Sequence, residues 1–219
     1  MNKKIILVGC GGLAREFLGY FEFEKENGNL KGFEIKGFID DDIDKAQKSS
    51  KAMNLRYLGD IDSYSIDKNE YFWIAIGTNP SRKDIYTKLS QKDKNKFFGF
   101  VSSLAYISKS SKVDKSVTIA PFCIVNSGAS IDENCIINSY AAIGHDSQLG
   151  ANSILSPYAA INGSCKIESE LFMGTRATIF PGIKVGRNCT VTSHSYVKTD
   201  KLDDRFIHQK TTEIDLKKI

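Results

Sequence analysis

No stretch of this 219-residue sequence approaches the roughly 18 consecutive apolar residues of a membrane-spanning helix, and no dense Lys/Arg block offers itself to nucleic acid. Thirty basic residues against 26 acidic ones leave a formal charge of +4, scattered along the chain. Membrane and nucleic-acid partners are therefore set aside. Cysteines number five, an odd count with no CxxC pair and no histidine at metal-ligand spacing, which argues against a disulfide frame and against a metal site. The start, MNKKIILVGCGG, passes from a weak basic flank straight into a strand-like run and a glycine turn, so we expect a cytoplasmic protein. What is present, 41% hydrophobic and 26% charged residues, suffices for one large core or two modest ones.

The second half carries an unbroken repeat. From Ile107 to Val197 an aliphatic residue or methionine falls at every sixth position, sixteen times in succession. A period of six fits neither the 3.6 of a helix nor the alternation of a long strand; it fits a short strand plus turn forming one side of a triangular coil. Four residues after an aliphatic, a second inward slot near the corner has room only for a small side chain, and Ser, Ala or Cys fills 12 of the 15 slots from Ser111 to Ser195. Cys123, Cys135, Cys165 and Cys189 are explained in this way as small buried hydrophobes. Three sides per coil predict stacking of residues 18 apart at about 4.8 Å. Phe122, Tyr140 and Tyr158 obey that spacing, and Arg176 and His194 continue the column. An open prism with flat, partly apolar sides is expected to cover one side with another copy, as a homotrimer.

The first hundred residues alternate instead. Ile5 to Val8 reads as a strand that ends in Gly9-Cys10-Gly11-Gly12-Leu13-Ala14, followed by a helix-compatible stretch. This G-x-G-x-x-A turn, weak as a motif by itself, lets backbone approach a phosphate at a helix start. A second strand, Phe33 to Ile39, ends in Asp40-Asp41-Asp42, carboxylates placed either to grip a ribose or base or simply to form a solvated turn. A third, Tyr71 to Ile76, leads into Gly77-Thr78-Asn79-Pro80, where Asn79 is read as the N-cap and Pro80 as the first position of the next helix. Phe97 to Val101 reads as the last strand before the coil, which makes a parallel sheet of about four strands. About 100 residues supply one mononucleotide-binding half, so the length points away from NAD and toward a ligand with one nucleotide, such as a nucleotide-linked sugar.

On the coil, His145 stands two residues after Ile143 and faces outward, with Asp146 beside it; Ser127 and Gly163 are its expected neighbours one coil below and above. An imidazole in such a notch can take a proton from an attacking group, oriented by the carboxylate, with a nearby backbone N–H for an oxyanion. The competing reading is a histidine hydrogen-bonded across a subunit interface.

The layout resembles the sialic acid O-acetyltransferase (NeuD) family of sugar acyltransferases and, within it, the PglD-like nucleotide-sugar N-acetyltransferases. The likeness spans nearly the whole chain. Its motifs are Val8-Gly9-Cys10-Gly11-Gly12-Leu13-Ala14-Arg15-Glu16, Gly37-Phe38-Ile39-Asp40-Asp41, Ala75-Ile76-Gly77-Thr78-Asn79, Ile137-Asn138-Ser139 with Ile143-Gly144-His145-Asp146, and Ile179-Phe180-Pro181-Gly182-Ile183-Lys184-Val185-Gly186. The resemblance implies a Rossmann-like α/β domain over 1–101, a left-handed parallel β-helix over 102–200 and a tail over 201–219. It implies a homotrimer with its site between subunits. His145 would be the base assisted by Asp146, and Asn138 would position the acceptor sugar. The turn Gly9 to Leu13 with Asp40, Asp41, Thr78 and Asn79 would hold the nucleotide sugar, and Gly163 and Gly174 the pantetheine arm of acetyl-CoA. Three departures stand out: Gly144 where the family carries an acid, Ser102-Ser103 in place of a His-Pro pair, and no Gly-x-Pro-Ala segment in the tail. The implied activity is acetyl transfer from acetyl-CoA to the amino group of a nucleotide-linked 4-amino-4,6-dideoxy sugar in bacterial glycan biosynthesis, with no metal. O-acetylation of a sialic acid type sugar and a non-catalytic sugar-nucleotide binding trimer are the alternatives.

Overall fold

The structure, a computed structural model, describes residues 2–209. Residues 210–219, most of the expected tail, lie outside the described residues. The first unit opens with β1 (Lys3–Val8) and α1 (Gly12–Glu26), continues with β2 (Phe33–Ile39) and α2 (Ile43–Met53), and closes with β3 (Glu70–Ile74) and α3 (Ser81–Asp93). Its sheet is parallel with order β2-β1-β3, three strands rather than about four. The segment read as a fourth strand divides its pairing: Phe97 makes a single bridge to Phe72, and Phe100–Val101 already pairs with Thr118–Ile119 as the first rung of the coil. Between them Gly99 passes so close to Lys115 that a Cβ would strike its carbonyl, which fixes the changeover at a residue without a side chain.

From Phe100 onward the chain winds as a left-handed parallel β-helix of two-residue strands. Three faces stack with partners 18 residues apart, as in Ile136 on Ile154, Ala142 on Ala160 and Gln148 on Lys166. All sixteen hexad positions enter one core, fully buried from Ile119 to Val197, with Ile107 and Val113 half-buried at the open end. The four coil cysteines lie in that core, and burial pushes the thiols of Cys123 and Cys135 up to about 12, so they are protonated and inert. Each corner turns on a residue with positive φ: Phe122, Tyr140 and Tyr158 at the first corner, Asp146 and Ser164 at the second, Asn134, Asn152 and Asn188 at the third. The aromatic column is present, with ring centroids 4.9 and 4.7 Å apart and the Arg176 guanidinium 5.2 Å above Tyr158.

The α/β unit sits on the first face of the coil. Outward-pointing Ile136 and Ile154 join Phe17, Trp73, Phe98 and Phe100 in one cluster, and Trp73 Nε1 donates to Thr118 Oγ1 at 2.9 Å. Two buried charges lock the arrangement. Arg82 on α3 is fully buried and donates to the carbonyls of Asn134 (2.9 Å), Ile74 (2.6 Å) and Ile76 (3.2 Å). Burial pulls its guanidinium down to about 9, which leaves it a cation at neutral pH.

Glu24 on α1 is the second. It accepts from Ser103 N (2.7 Å), Ser102 Oγ (2.9 Å) and Ser103 Oγ (3.1 Å) with one oxygen and from Asn29 with the other. The Ser102-Ser103 departure is thus a clamp between helix and coil. Burial pushes the Glu24 carboxyl up, but the hydrogen bonds from Ser103, Asn29 and Ser102 pull harder and hold it below its ordinary value. A carboxyl lowered in the folded state contributes stability that is present above its unfolded pKa and lost as pH falls through the folded one. Thermal midpoints measured from neutral pH down are expected to fall below about pH 5, and Glu24→Gln to flatten that part of the profile while lowering the neutral-pH midpoint.

Candidate functional site

At the carboxyl ends of β1, β2 and β3 a cleft of about 390 Å³ opens, lined by Gly9 to Leu13, Asp40, Asp41, Lys45 and Gly77-Thr78 among others. The strands place it there because parallel strands fed by helices leave their carboxyl ends open at the turns. Gly9 takes a φ of +101°, beneath Ile76 and the Ala75 carbonyl, a conformation and a packing that favour glycine. Gly11 starts α1 without a side-chain cap, and no acid occupies the first turn, so the leading N–H groups of the helix face the cleft with their positive dipole end uncompensated.

Cys10 has a different position from the one the turn suggests: its thiol is buried and its N–H is taken by Asp40 Oδ2 at 2.9 Å. Burial raises the Cys10 thiol further, with Asp40 adding to it. Asp40 uses its other oxygen on Asp42 N (3.0 Å); burial pushes its carboxyl up, but these bonds and Lys45 hold it below its ordinary value. Asp41 spends one oxygen on Ile61 N at 2.8 Å, and Asp42 caps α2 by accepting from Lys45 N. The acidic run therefore shapes the cleft wall. Lys45, 3.6 Å from Asp40, is the one cation among the described residues that line the cleft; sequence reasoning passed over it because the buried stripe of α2, Ala46, Ser49 and Met53, is too thin and too polar to reveal the helix that carries it.

Asn79 is not the N-cap of α3. Pro80 occupies that place without a side-chain bond, and Asn79 turns its Nδ2 onto the Asn152 carbonyl of the third corner at 2.8 Å. The tertiary acceptor outcompetes the local one, and the loop after β3 is tied to the coil.

His145 lies on the second corner with its side chain 64% exposed. Asp146 N donates to Ser127 O at 2.9 Å and Ser164 N to His145 O at 2.7 Å, which puts Ser127 and Gly163 below and above as expected. The ring leans over Gly163 so closely that a Cβ there would collide with Nε2. Nδ1 stands 2.9 Å from Asp146 Oδ2; a carboxylate only accepts, so Nδ1 carries the proton and Nε2 the free lone pair. The Gly163 N–H makes no hydrogen bond within the described residues. Gly144 has no room for a side chain, since a Cβ would meet the backbone of Asn162 and Gly163, so the missing acid follows from the close stacking of this coil.

Asn138 and Gly174 lie elsewhere, both directly after strands of the first face and two coils apart. Asn138 Nδ2 donates to Leu155 O at 2.9 Å, and Gly174 is buried where a Cβ would strike Ser193. One chain therefore presents three separate patches: the cleft over the first face and third corner, His145 with Asp146 and Gly163 on the second corner, and Asn138 with Gly174 at the first. Among the described residues no cluster of His, Cys, Asp and Glu suits a metal ion, and no helix is long and apolar enough to cross a membrane.

A short α/β unit docked on a left-handed coil of six-residue repeats defines the class: the chain is a hexapeptide-repeat β-helix protein. Residues 4–89, the α/β unit, match the family model of the PglD N-terminal domain. Curated proteins give no sequence match. Among solved structures, PerB from Caulobacter crescentus, in complex with CoA and GDP-perosamine, is 23% identical with a TM-score of 0.74, covering 92% of this chain and 91% of that one. WeeI from Acinetobacter baumannii is 21% identical with a TM-score of 0.75 over 93% and 95% of the two chains. The acetyltransferase domain of PglB from Neisseria gonorrhoeae is 20% identical with a TM-score of 0.75 over 91% and 93%. Both parts of the fold, and their order, are shared with these proteins.

Proposed function

We propose that the protein transfers acetyl from acetyl-CoA to the amino group of a nucleotide-linked 4-amino-4,6-dideoxy sugar in bacterial glycan biosynthesis, and that it works as a homotrimer in the cytoplasm. The observation that carries this reading is the His145 imidazole, fixed through Nδ1 by Asp146 with Nε2 over a residue that has no side chain. The structures that share the fold include one with CoA and GDP-perosamine and one with acetyl coenzyme A, which supports the same pair of substrates here.

In the proposed step the sugar amine nitrogen forms a bond to the thioester carbonyl carbon and the C–S bond breaks. The amine becomes cationic as it attacks, and His145 Nε2 takes its proton. Asp146 stabilises the imidazolium that results, and the proton passes on to the departing thiolate. The Gly163 N–H, which makes no hydrogen bond within the described residues, is available as a backbone donor for the oxyanion. The cleft, the histidine and Asn138 lie on different faces and corners of one prism, so a neighbouring copy is needed to bring them into one site, and the exposed aromatic column and flanking Ile124 offer apolar surface for it.

Gly163→Ala tests the geometry. Its methyl is expected to push the ring off Asp146 and lower transfer about 10²-fold, with the thermal midpoint little changed because the site is on the surface. Thiol release from acetyl-CoA, followed with a chromogenic reagent in the presence of nucleotide-linked amino sugars, is the direct assay. Release with hydroxyl acceptors only would replace this reading by O-acetylation. No release with any acceptor would leave a sugar-nucleotide binding trimer.

A further inference from the structure

The segment that leads from α2 to β3 folds into a tight turn at residues 60–64, and its Ile61 is buried against Ile39 and Ile74 while lining the glycine-turn cleft. The N–H groups of the turn meet carboxylates: Ile61 N donates to Asp41 Oδ1 and Ser63 N to Asp60 Oδ1, both at 2.8 Å. Its carbonyls meet an ammonium. Lys92, in the last turn of α3, donates through Nζ to Ile61 O at 3.0 Å and to Asp62 O and Tyr64 O at 2.8 Å each. Among the described residues no backbone N–H donates to any of these three oxygens.

A lysine ammonium has three N–H donors and no acceptor, and here all three are spent on one turn. A turn with carboxylates at its N–H groups and a cation at its carbonyls is a small dipole held at both poles. Lys88, one helical turn earlier on the same side of α3, pairs with the Asp62 carboxylate, which adds a charge but no bond to a carbonyl. Asp41 connects the turn to the ligand side. It lines the cleft, one of its oxygens is held by Ile61 N, and the other accepts no hydrogen bond among the described residues. The Ile61 N–H therefore sets which way the free oxygen points, and the grip of Lys92 on the carbonyls sets the Ile61 N–H.

We propose that Lys92 is a positioning residue for the nucleotide: from outside the cleft lining it holds the turn so that Asp41 presents its free oxygen to the ligand. The inference rests on the proposed sugar-nucleotide reading and adds to it a residue that does not line the cleft.

Calorimetry with UDP, dTDP and GDP on the full parental chain identifies the nucleotide that binds, and the same titration on variants tests the proposal, with thermal midpoints to show that each is folded. Lys92→Met keeps the stem and strips the donors. It is expected to weaken that nucleotide about tenfold, the scale of one hydrogen bond to a charged group. In the transfer assay KM for the nucleotide sugar should rise by a similar factor with kcat unchanged, because His145 is untouched. Lys92→Gln, which keeps two N–H donors, is expected to weaken binding less but in the same direction. Lys88→Ala removes a cation from the same side of α3 without touching a carbonyl, and is expected to bind as the parent does. Asp41→Ala combined with Lys92→Met is expected to bind no more weakly than Asp41→Ala alone, because one residue acts through the other. Parental affinity in Lys92→Met, equal weakening in Lys88→Ala, or additive losses in the double variant would each overturn the proposal and leave the cleft standing. Parental protein that binds none of the three nucleotides removes the sugar-nucleotide reading itself, and this inference with it.

Discussion

His145→Ala is expected to lower acetyl transfer about 10²- to 10⁴-fold, the range for loss of a positioned general base, with no loss of fold. The ring is exposed on a corner and its one side-chain bond is to Asp146, so its removal leaves no buried group unsatisfied and no cavity in the coil. The loss should fall on kcat more than on KM, because the proton is transferred only as the amine attacks. His145→Asn separates base from spacer: it retains a polar group at the corner but no proton acceptor of comparable basicity, and is expected to be as impaired as the alanine variant. Thiol release at saturating acetyl-CoA checks both. A rate within a few-fold of the parent would show that the proton leaves by another route.

Arg82→Met is expected to destabilise the protein by about 4 kcal/mol, because it strips donors from three carbonyls at a buried junction at roughly 1–3 kcal/mol each, partly relieved by the apolar replacement. For a chain of this size that corresponds to a fall of about 8–16 °C in the thermal midpoint. The guanidinium has no carboxylate partner among its hydrogen bonds; it spans the end of β3, the loop after it and the Asn134 corner of the coil. Arg82→Lys can satisfy fewer of these carbonyls and should fall between. If the α/β unit were merely tethered rather than welded to the coil, a scanning measurement would instead show a separate early transition for that unit and an unchanged one for the coil.

The coil was legible because its physics repeats. Each rung offers the same inward slot, so sixteen aliphatics and their small partners declare the period without any long-range knowledge. The notch at His145 followed from that period, since adding or subtracting 18 gives Gly163 and Ser127. Handedness did not follow from periodicity, and came only through the likeness of motifs. In the α/β unit, β2 was read from Phe33 to Ile39 as it stands, but α2 went unread: IDKAQKSSKAM buries one thin face, Ala46, Ser49 and Met53, with a serine in the middle of it, too weak a stripe to stand out in the sequence.

The interface between the two units was opaque for a related reason. Arg82 and Glu24 are charged residues on helices, which by themselves read as solvated, and only the folded chain reveals the carbonyls and serines that hold them. Asn79 before Pro80 is a strong local signal for a cap, yet a carbonyl 73 residues away receives the amide. Asp40 to Asp42 carried two readings, ligand grip or acidic turn. The structure gives each carboxylate a backbone N–H to hold, and among the described residues one oxygen of Asp41 and one of Asp42 accept no hydrogen bond.

The central claim is that the base and the sugar cleft meet only across two copies. It is tested most directly by mixing two inactive proteins. His145→Ala lacks the base, and Lys45→Glu sets a third carboxylate beside Asp40 and Asp41 in the cleft, where it repels a diphosphate. Unfolded and refolded together in equal amounts, they form mixed trimers in which about one site in four pairs an intact imidazole with an intact cleft from the next subunit. The account predicts about a quarter of the parental thiol-release rate from the mixture and almost none from either variant refolded alone; a mixture as silent as its components would contradict it.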